Sequence, residues 1–273
     1  MLTSKVSPSR AVPFIKSPCV NSHWSGLSLL GVLLGAVGCV RDARAPATDA
    51  PEGTQSPTVA ARPNAGCQSE GPLPAPNPLS IEDGENGDPR IIQHNGRGGF
   101  LYTFVDELGS EVVPKSATLG GMFQASAGGA HGACGLNFKG QLVAGEVVFA
   151  GLGFDLTYPK QPYAASQFAG ISFMARIAEG AATRIRVNLS DTNTDPDGTK
   201  CSECYNYFGR EFDLTPEWQE YRLPFAELQQ EPLWGEPRPD AIDTHGIYGL
   251  IFLMRDPGRA FDVWIDDIMF IPS

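Results

Sequence analysis

The sequence predicts an all-β fold in which residues 80–273 form one two-sheet antiparallel β-sandwich. Apolar and polar side chains alternate in several short segments, among them "GISFMARI" (170–177) and "TRIRVNLS" (183–190). A period of two is typical of strands that bury one face. Glycine and proline separate the segments at short intervals, and no long segment shows the period of a helix. Short strands without intervening helices favour a sandwich over a parallel sheet.

The alternation also assigns faces to the strands. The inward positions are expected to be Ile171, Phe173, Ala175 and Ile177 in the first segment, and Ile185, Val187 and Leu189 in the second. The outward positions of the second segment are Arg184, Arg186 and Asn188. Further strands are expected at "EYRLPF" (220–225), "YGLIFLM" (248–254) and "FDVWIDDIMF" (261–270), whereas "PFAELQQ" (224–230) allows one helical turn.

Residues 1–38 are expected to form a lipoprotein signal peptide. Basic residues and no acidic ones precede the apolar run 27–38, which is too short to span a bilayer. The run ends in "AVGC", which resembles the lipobox of bacterial lipoproteins, although Ala36 stands where Leu is more frequent. This pattern predicts cleavage before Cys39, a lipid anchor on that residue and an extracytoplasmic location at the cell envelope. A plain secretory signal is the alternative, and it would lead to the same compartment.

Residues 39–79 are expected to be a disordered tether. The stretch contains eight prolines and many alanines but no Phe, Trp or Tyr. Such a composition cannot bury enough surface to offset chain entropy. The segment would hold a folded part away from a membrane.

The charge balance limits the classes of partner. The chain carries a net charge of −11 at pH 7, and an acidic exterior repels nucleic acid and anionic lipid surfaces. We therefore expect no nucleic-acid partner. Neutral ligands and calcium suit this composition better.

The cysteines are expected to form disulfides. Besides Cys19 in the leader and the lipidation site, four remain, namely Cys67, Cys134, Cys201 and Cys204. An even number outside the cytoplasm favours disulfide bonds, although connectivity cannot be deduced from sequence. The preferred pairing joins Cys201 to Cys204, because neighbours in a short loop meet easily, and leaves Cys67 with Cys134.

Several segments occur in the order of a known family. They include "IEDGENGD" (81–88), "FLYTFVDELG" (100–109), "DLTPEWQEYRLPFAEL" (213–228) and "FDVWIDDIMF". Over nearly all of 81–272 the chain resembles the galactose-binding-like β-jelly-roll of family eleven carbohydrate-binding modules, similar to domains in predicted lipoproteins of myxobacteria. Gly84 and Met174 depart from the family pattern, which has Phe and frequently Trp there. The resemblance implies a jelly-roll sandwich that binds carbohydrate without catalysis.

The resemblance also implies that the chain ends pair and hold a structural calcium ion. Calcium takes six to eight oxygen ligands. Carboxylates near both ends are available for it, namely Glu85, Asp88, Asp266 and Asp267. We expect Glu85 and Asp266 to be the first ligands. The alternative is that these acids cap turns and face water.

The stretch "DTNTDPDGTKCSECYNYFG" (191–209) is open to several interpretations. Asn193, Asp195 and Asp197-Gly198 have the spacing that opens a calcium loop, but Cys204 stands at position twelve, where Glu is needed. A redox C-x-x-C would need a following helix, and a zinc site would need a second ligand pair. A disulfide that stiffens an aromatic loop as a wall for a ligand is the preferred interpretation, against plain loop closure.

No catalytic signature was found, because the chain lacks G-x-S-x-G, H-E-x-x-H, P-loop and dinucleotide motifs. We therefore expect a monomeric, non-catalytic binder of poly- or oligosaccharide. The candidate ligand-binding residues are Tyr102, Arg184, Arg186, Asn188, Asp191, Asn193, Tyr205, Tyr207 and Trp234. The alternative is a structural or adaptor protein of the envelope that docks a protein partner through the same sandwich. A polar-aromatic groove would favour the first function and a flat apolar patch the second.

Overall fold

The computed structural model describes Cys67 and residues 77–87, 89–115 and 123–273. The predicted signal peptide, the lipidation site Cys39 and the proposed calcium ligand Asp88 lie outside the described residues. All structural statements below concern the described part of the chain.

The described residues form strands connected by turns and loops. The strands are β1 (Ser80–Glu82), β2 (Leu101–Val105), β3 (Glu111–Val113), β4 (Ser126–Ala127), β5 (Cys134–Gln141), β6 (Ala150–Asp155), β7 (Phe168–Ile177), β8 (Arg184–Asp191), β9 (Phe208–Asp213), β10 (Gln219–Pro224), β11 (Ile247–Met254) and β12 (Ala260–Pro272). Single 3-10 turns lie at Pro196–Gly198 and Phe225–Glu227, the latter within the segment where one helical turn was expected. Within the described ranges, no helix has the length and apolar character needed to cross a membrane.

The strands form two antiparallel sheets, which confirms the predicted sandwich. One sheet has five strands in the order β2-β6-β11-β8-β9. The other has seven, with β10-β7-β12-β5-β3 as its main path, β1 paired with β12 and β4 with β5. Here, the outer face of a sheet means the face turned away from the other sheet.

The core between the sheets follows the alternation in the sequence. The inward positions predicted for β7 and β8 are all buried, and Phe173 at the centre of β7 is 1% exposed. Its ring meets Phe252 of β11 edge-on, with 5.2 Å between centroids, and stacks on Tyr221 of β10 at 5.7 Å. Offset and edge-on contacts of this kind add to the free energy gained by burying apolar surface.

The two ends of the sandwich chain meet, as expected. Strand β1 pairs with β12, and the Phe270 N–H donates to the carbonyl of Leu79. Arg97, which is 4% exposed, ties the first strand down further. Its guanidinium donates to the carbonyls of Pro78 and Ser80 and lies 5.4 Å from the centre of the Phe270 ring.

Three described residues within the expected tether, residues 39–79, contact the sandwich. Cys67 is 5% exposed and disulfide-bonded to Cys134, at the start of β5. Leu79 and Pro78 are hydrogen-bonded to the sandwich as described above. The expected pairing of Cys67 with Cys134 already implied this attachment, whereas composition alone gave no sign of it.

We expect Phe173→Ala to lower the free energy of unfolding by about 3–5 kcal/mol, because it opens a cavity among three aromatic rings. Met174→Ala, one residue along on the outer face, should cost about 1 kcal/mol or less. Urea unfolding of both variants with equal m-values would measure the difference. Equal losses in the two variants would contradict the assignment of faces.

Candidate functional site

The outer face of the five-stranded sheet has a floor of glycines crossed by aromatic rings. Tyr102 and Phe104 of β2 stand opposite Gly153 and Gly151 of β6. A Cβ atom at residue 153 would lie 3.0 Å from the Tyr102 ring, and one at residue 151 would lie 2.5 Å from the Phe104 ring. Only glycine therefore lets these rings lie over the neighbouring strand.

Four tyrosines gather at one end of this face, and we call Tyr102, Tyr205, Tyr207 and Tyr248 the tyrosine cluster. The rings of Tyr205 and Tyr207 meet edge-on with centroids 6.1 Å apart, and Tyr205 is 56% exposed. Burial raises the pKa of the Tyr207 hydroxyl, and the charges of Asp195 and Tyr102 raise it further. The pKa of Tyr102 is raised by burial and then by Asp155 and Asp195. These hydroxyls stay neutral near pH 7 and can both donate and accept hydrogen bonds.

Lys160 and three aspartates border the tyrosine cluster. The Lys160 ammonium lies 2.9 Å from both oxygens of Asp195 and 3.1 Å from Asp197, and 5.4 Å from the centre of the Tyr248 ring. Burial opposes the charge on Lys160, but the hydrogen bonds and charges of the aspartates together outweigh this effect, and the pKa of Lys160 is raised. Burial raises the pKa of Asp155 to about 6, partly opposed by Lys160.

Asp191 and Asn193 were expected to bind the ligand, but they hydrogen-bond to each other in the loop after β8. Asp191 is completely buried, and its oxygens accept from the backbone and side chains of Asn193 and Thr194 and from the Asp243 N–H. Asp191 therefore fixes the loop after β8. Asp191 has the same parity along the strand as the inward Ile185, Val187 and Leu189, and this was the available signal for its burial.

The loop after Asp191 is an Asx-type turn. The Asp195 side chain accepts from the Asp197 N–H at the start of the 3-10 turn, and Lys160 covers the same carboxylate. The sequence already argued against a calcium loop at Asn193. In the structure, the carboxylates of Asp195 and Asp197 interact with Lys160 instead.

Both expected disulfides are present, and the Cys201–Cys204 bond lies in a wall made of two loops. Asn206, which is 2% exposed, joins the loops: its side chain donates to the carbonyls of Glu231 and Trp234 and accepts from the Glu231 N–H. Glu203 and Glu236 exchange backbone hydrogen bonds. The wall thus carries Tyr205 on one loop and Trp234 on the other.

The other end of the outer face is a charged groove of about 670 Å³ lined by Arg186, Glu211, Glu231, Trp234 and Arg255 among others. Arg186 donates to the Gln229 carbonyl at 2.7 Å and lies 3.6 Å from Glu231. Arg255 pairs with both Glu231 and Glu211. Each basic group in this set thus has an acidic partner.

The structure places the predicted polar series of β8 as follows. Arg184 is exposed at the start of the strand. Arg186 and Asn188 point outward as expected but are only 9% and 6% exposed, and the segment around Gln229 pairs with β9 beside them. The Asn188 Oδ1 atom is buried and accepts no hydrogen bond from another described residue.

Several residues of the site were missed from the sequence. Asp155 ends the strand "AGLGFD", and an acid at an outward position after two outward glycines was the available signal. Lys160, Tyr248 and Arg255 gave no local signal, because loops far apart in sequence bring them to the site.

The acids predicted to bind calcium lie at the end of the sandwich where β1 and β12 meet. Glu85 accepts from the N–H groups of Ala133 and Cys134 at 2.8 and 2.7 Å. Asp266 is completely buried and accepts from the Ala130 N–H at 2.7 Å and the Asp267 N–H at 2.8 Å.

The pKa values of these acids affect whether they can bind a cation. Burial raises the pKa of Asp266 to about 7, with the charge of Asp267 next in effect. Burial also raises the pKa of Glu82, a residue that the sequence did not single out. Asp267 instead pairs with His131 at 2.6 Å. No group of three or more His, Cys, Asp or Glu side chains in the described ranges is arranged to hold a metal ion. Calcium would have to replace N–H donors at Glu85 and Asp266, and its binding stays a prediction.

No protein-family model matches the chain. No curated protein matches it in sequence.

Solved structures that are similar include carbohydrate-binding modules. A family 11 module from Clostridium thermocellum, in complex with a β-1,3-1,4-mixed-linked tetrasaccharide, is 16% identical with a TM-score of 0.47, covering 63% of this chain and 89% of that one. The family 30 module of a C. thermocellum cellulosomal cellulase is 14% identical with a TM-score of 0.46, covering 68% and 98%. TmCBM61 in complex with β-1,4-galactotriose is 14% identical with a TM-score of 0.36, covering 73% and 100%.

We expect calcium to raise the melting temperature at pH 8, above the raised pKa of Asp266, because a ligand that binds only the native state stabilises it. Asp266→Asn and Glu85→Ala should each remove the response. Glu220→Gln, an exposed acid on β10, is the matched control and should keep it. Identical melting of the unaltered chain in calcium and in chelator would contradict calcium binding.

Proposed function

We propose that this chain is a non-catalytic carbohydrate-binding protein whose ligand lies along the outer face of the five-stranded sheet. The observation that carries the proposal is the tyrosine cluster at the end of a glycine floor. Aromatic rings held in place by the fold offer apolar surface to a sugar ring at little cost in side-chain entropy. The glycines of β6 let the rings of Tyr102 and Phe104 lie across the sheet, where larger side chains would displace them.

Polar groups beside the cluster supply hydrogen-bond partners for sugar hydroxyls. The tyrosine hydroxyls, Asp155, Asp197 and Lys160 lie around the rings. A few placed polar groups within an aromatic surface are the usual composition of a small-molecule site. This combination supports a poly- or oligosaccharide ligand.

The ligand of this face is proposed to be uncharged. Arg186 and Arg255 are already paired with Glu231, so they do not offer a free positive charge. At the other end Lys160 lies among Asp155, Asp195 and Asp197, where acidic groups outnumber basic ones. An anionic sugar would be repelled there.

A protein-docking adaptor is the second candidate function. The observation in its favour is Leu233, which is 99% exposed at positive φ beside Trp234. An exposed apolar residue on a strained backbone is a feature of recognition loops. The polar groups of the groove favour the sugar ligand over this alternative.

We also propose that the protein is lipid-anchored at the cell envelope through Cys39. Support comes from the "LLGAVGC" sequence and from the two disulfides, which form in an oxidising compartment. A lipid anchor would keep the sugar-binding face near the cell surface.

On a glycan array, the mature chain is expected to bind neutral oligosaccharides. Tyr207→Ala and Tyr102→Ala should each weaken binding by about tenfold or more, because each removes a stacking surface. Tyr158→Ala, an exposed tyrosine outside the cluster, is the matched control and should leave affinity unchanged. Absence of binding to any glycan, with binding to an envelope protein that requires Leu233, would favour the adaptor.

The disulfide in the wall gives a second arm of the same experiment. Its loop is so short that the bond should add less than the typical 2–4 kcal/mol to global stability. Cys201→Ser combined with Cys204→Ser should therefore weaken glycan binding more than it lowers the melting temperature. A loss of stability with full binding would show that the loop only holds the fold.

Lipid anchoring is tested by mass spectrometry of the mature protein. We expect an N-terminus at Cys39 that carries the mass of a lipid modification. Cys39→Ala should abolish the modification and release the protein from the membrane fraction. A mature chain that retains residues 27–38 would contradict the proposal.

A further inference from the structure

A second set of aromatic side chains lies on the outer face of the seven-stranded sheet. Arg176 of β7 stands opposite Trp264 of β12, and Trp218 directly precedes β10, whose Gln219 pairs with Ala175. The three side chains therefore form a row across three neighbouring strands. The Arg176 guanidinium carbon is 5.2 Å from the centre of the Trp218 ring and 4.9 Å from that of Trp264. We call these three residues the Trp–Arg–Trp row.

Among the described residues, the Arg176 guanidinium has no hydrogen-bond acceptor. No carboxylate or carbonyl among the described residues bonds to Arg176, and its Nε–H is buried without a partner. Leaving a buried donor unpaired is unfavourable, and most such groups in folded proteins are satisfied. By contrast Arg222 on the same face pairs with Glu220, and the Arg186 and Arg255 guanidiniums have glutamate partners.

We infer that the Trp–Arg–Trp row is a second ligand site, and that it binds a sugar residue carrying a carboxylate. Because an indole lies near each side of the Arg176 guanidinium, a ligand contacts the guanidinium along the edge that carries its N–H groups. That planar edge of N–H donors matches a carboxylate, which it binds with two parallel hydrogen bonds. The half-exposed indoles beside it offer the apolar surface against which a sugar ring packs.

The surroundings of the row favour a sugar over a protein partner. Apart from Met174, its neighbours on this face are polar or charged, namely Lys139, Ser172, Glu220, Arg222 and Asp262. A protein interface needs a contiguous apolar centre, and two indoles and one methionine amid polar residues do not provide one. The exposed Lys139 adds a second positive charge near Trp264. A uronate residue fits both the charge and the size of this surface.

The site is separate from the tyrosine cluster, because the two lie on the outer faces of opposite sheets. On one face Lys160, Arg186 and Arg255 have acidic partners, which suits neutral sugars, while on the other the Arg176 guanidinium has no acidic partner among the described residues. The protein would then hold a neutral and an acidic saccharide at once, on opposite sides of one sandwich.

The test uses the mature chain and two sugars of equal length, tri-galacturonate and galactotriose. Titrations followed by calorimetry and tryptophan fluorescence are run with chelator, so that calcium does not bridge carboxylates. We expect tri-galacturonate to quench the indole emission, and Arg176→Gln to weaken its binding by about tenfold or more. Arg176→Lys should lose a similar factor, because lysine keeps the charge but not the planar fork. Arg222→Gln on the same face and Tyr207→Ala on the opposite face should leave this affinity unchanged.

Other results would overturn the inference. Absence of tri-galacturonate binding, or equal binding of both sugars by the Tyr207→Ala variant, whose neutral-sugar site is weakened, would remove the carboxylate from recognition. If Arg176→Gln or Arg176→Lys keeps full affinity and melts near the temperature of the unaltered chain, the planar guanidinium is not the group that binds the carboxylate. Loss of tri-galacturonate binding in Tyr207→Ala would place it on the other face. Binding of a poly-glutamate peptide in place of the sugar, dependent on Arg176, would make the row a protein-docking surface.

Discussion

Strand β12 is the element on which the rest of the sandwich depends. It pairs with β7 on one side, with β5 on the other, and with β1 near its end. Its inward residues Val263 and Ile265 are fully buried, while Trp264 between them points to the outer face. Because β12 is the last strand in sequence, most of its contacts span a long stretch of chain. Such non-local pairing gives a stable sheet but slows folding, because distant parts of the chain must meet before they can pair.

The two outer faces show how one backbone pattern supports different surfaces. On the five-stranded sheet, glycines at 151 and 153 let aromatic rings lie across the strands. On the seven-stranded sheet, the alternating positions carry full side chains, and Arg176 stands between indoles. The difference arises from which residues occupy the outward positions, since the inward positions of both sheets are mostly apolar.

The sequence allowed the fold class and the strand faces to be predicted, because a period of two is a local property. It could not show that Arg186 and Asn188 are covered, since their cover is formed by the distant segment around Gln229. Asp191 shares the inward parity of Leu189, but the distant donor that satisfies it, the N–H of Asp243, could not be predicted. The tyrosines before β9 were recognisable as an aromatic loop, whereas Lys160 reaches the site through a loop with no distinguishing pattern. Local patterns thus predict strands, and loop contacts decide the site.

The disulfide between Cys67 and Cys134 has a mechanical consequence. Cys67 precedes β1, and its partner begins β5, an interior strand of the seven-stranded sheet. Tension applied to the chain before Cys67 therefore enters the sheet through β5, and the loop that leads to β1 carries no load. Strand β1, with its few hydrogen bonds to β12, cannot be unzipped from its free end by such a pull. A sandwich attached in this way bears a pulling force through the seven-stranded sheet, and β1 is protected from that force.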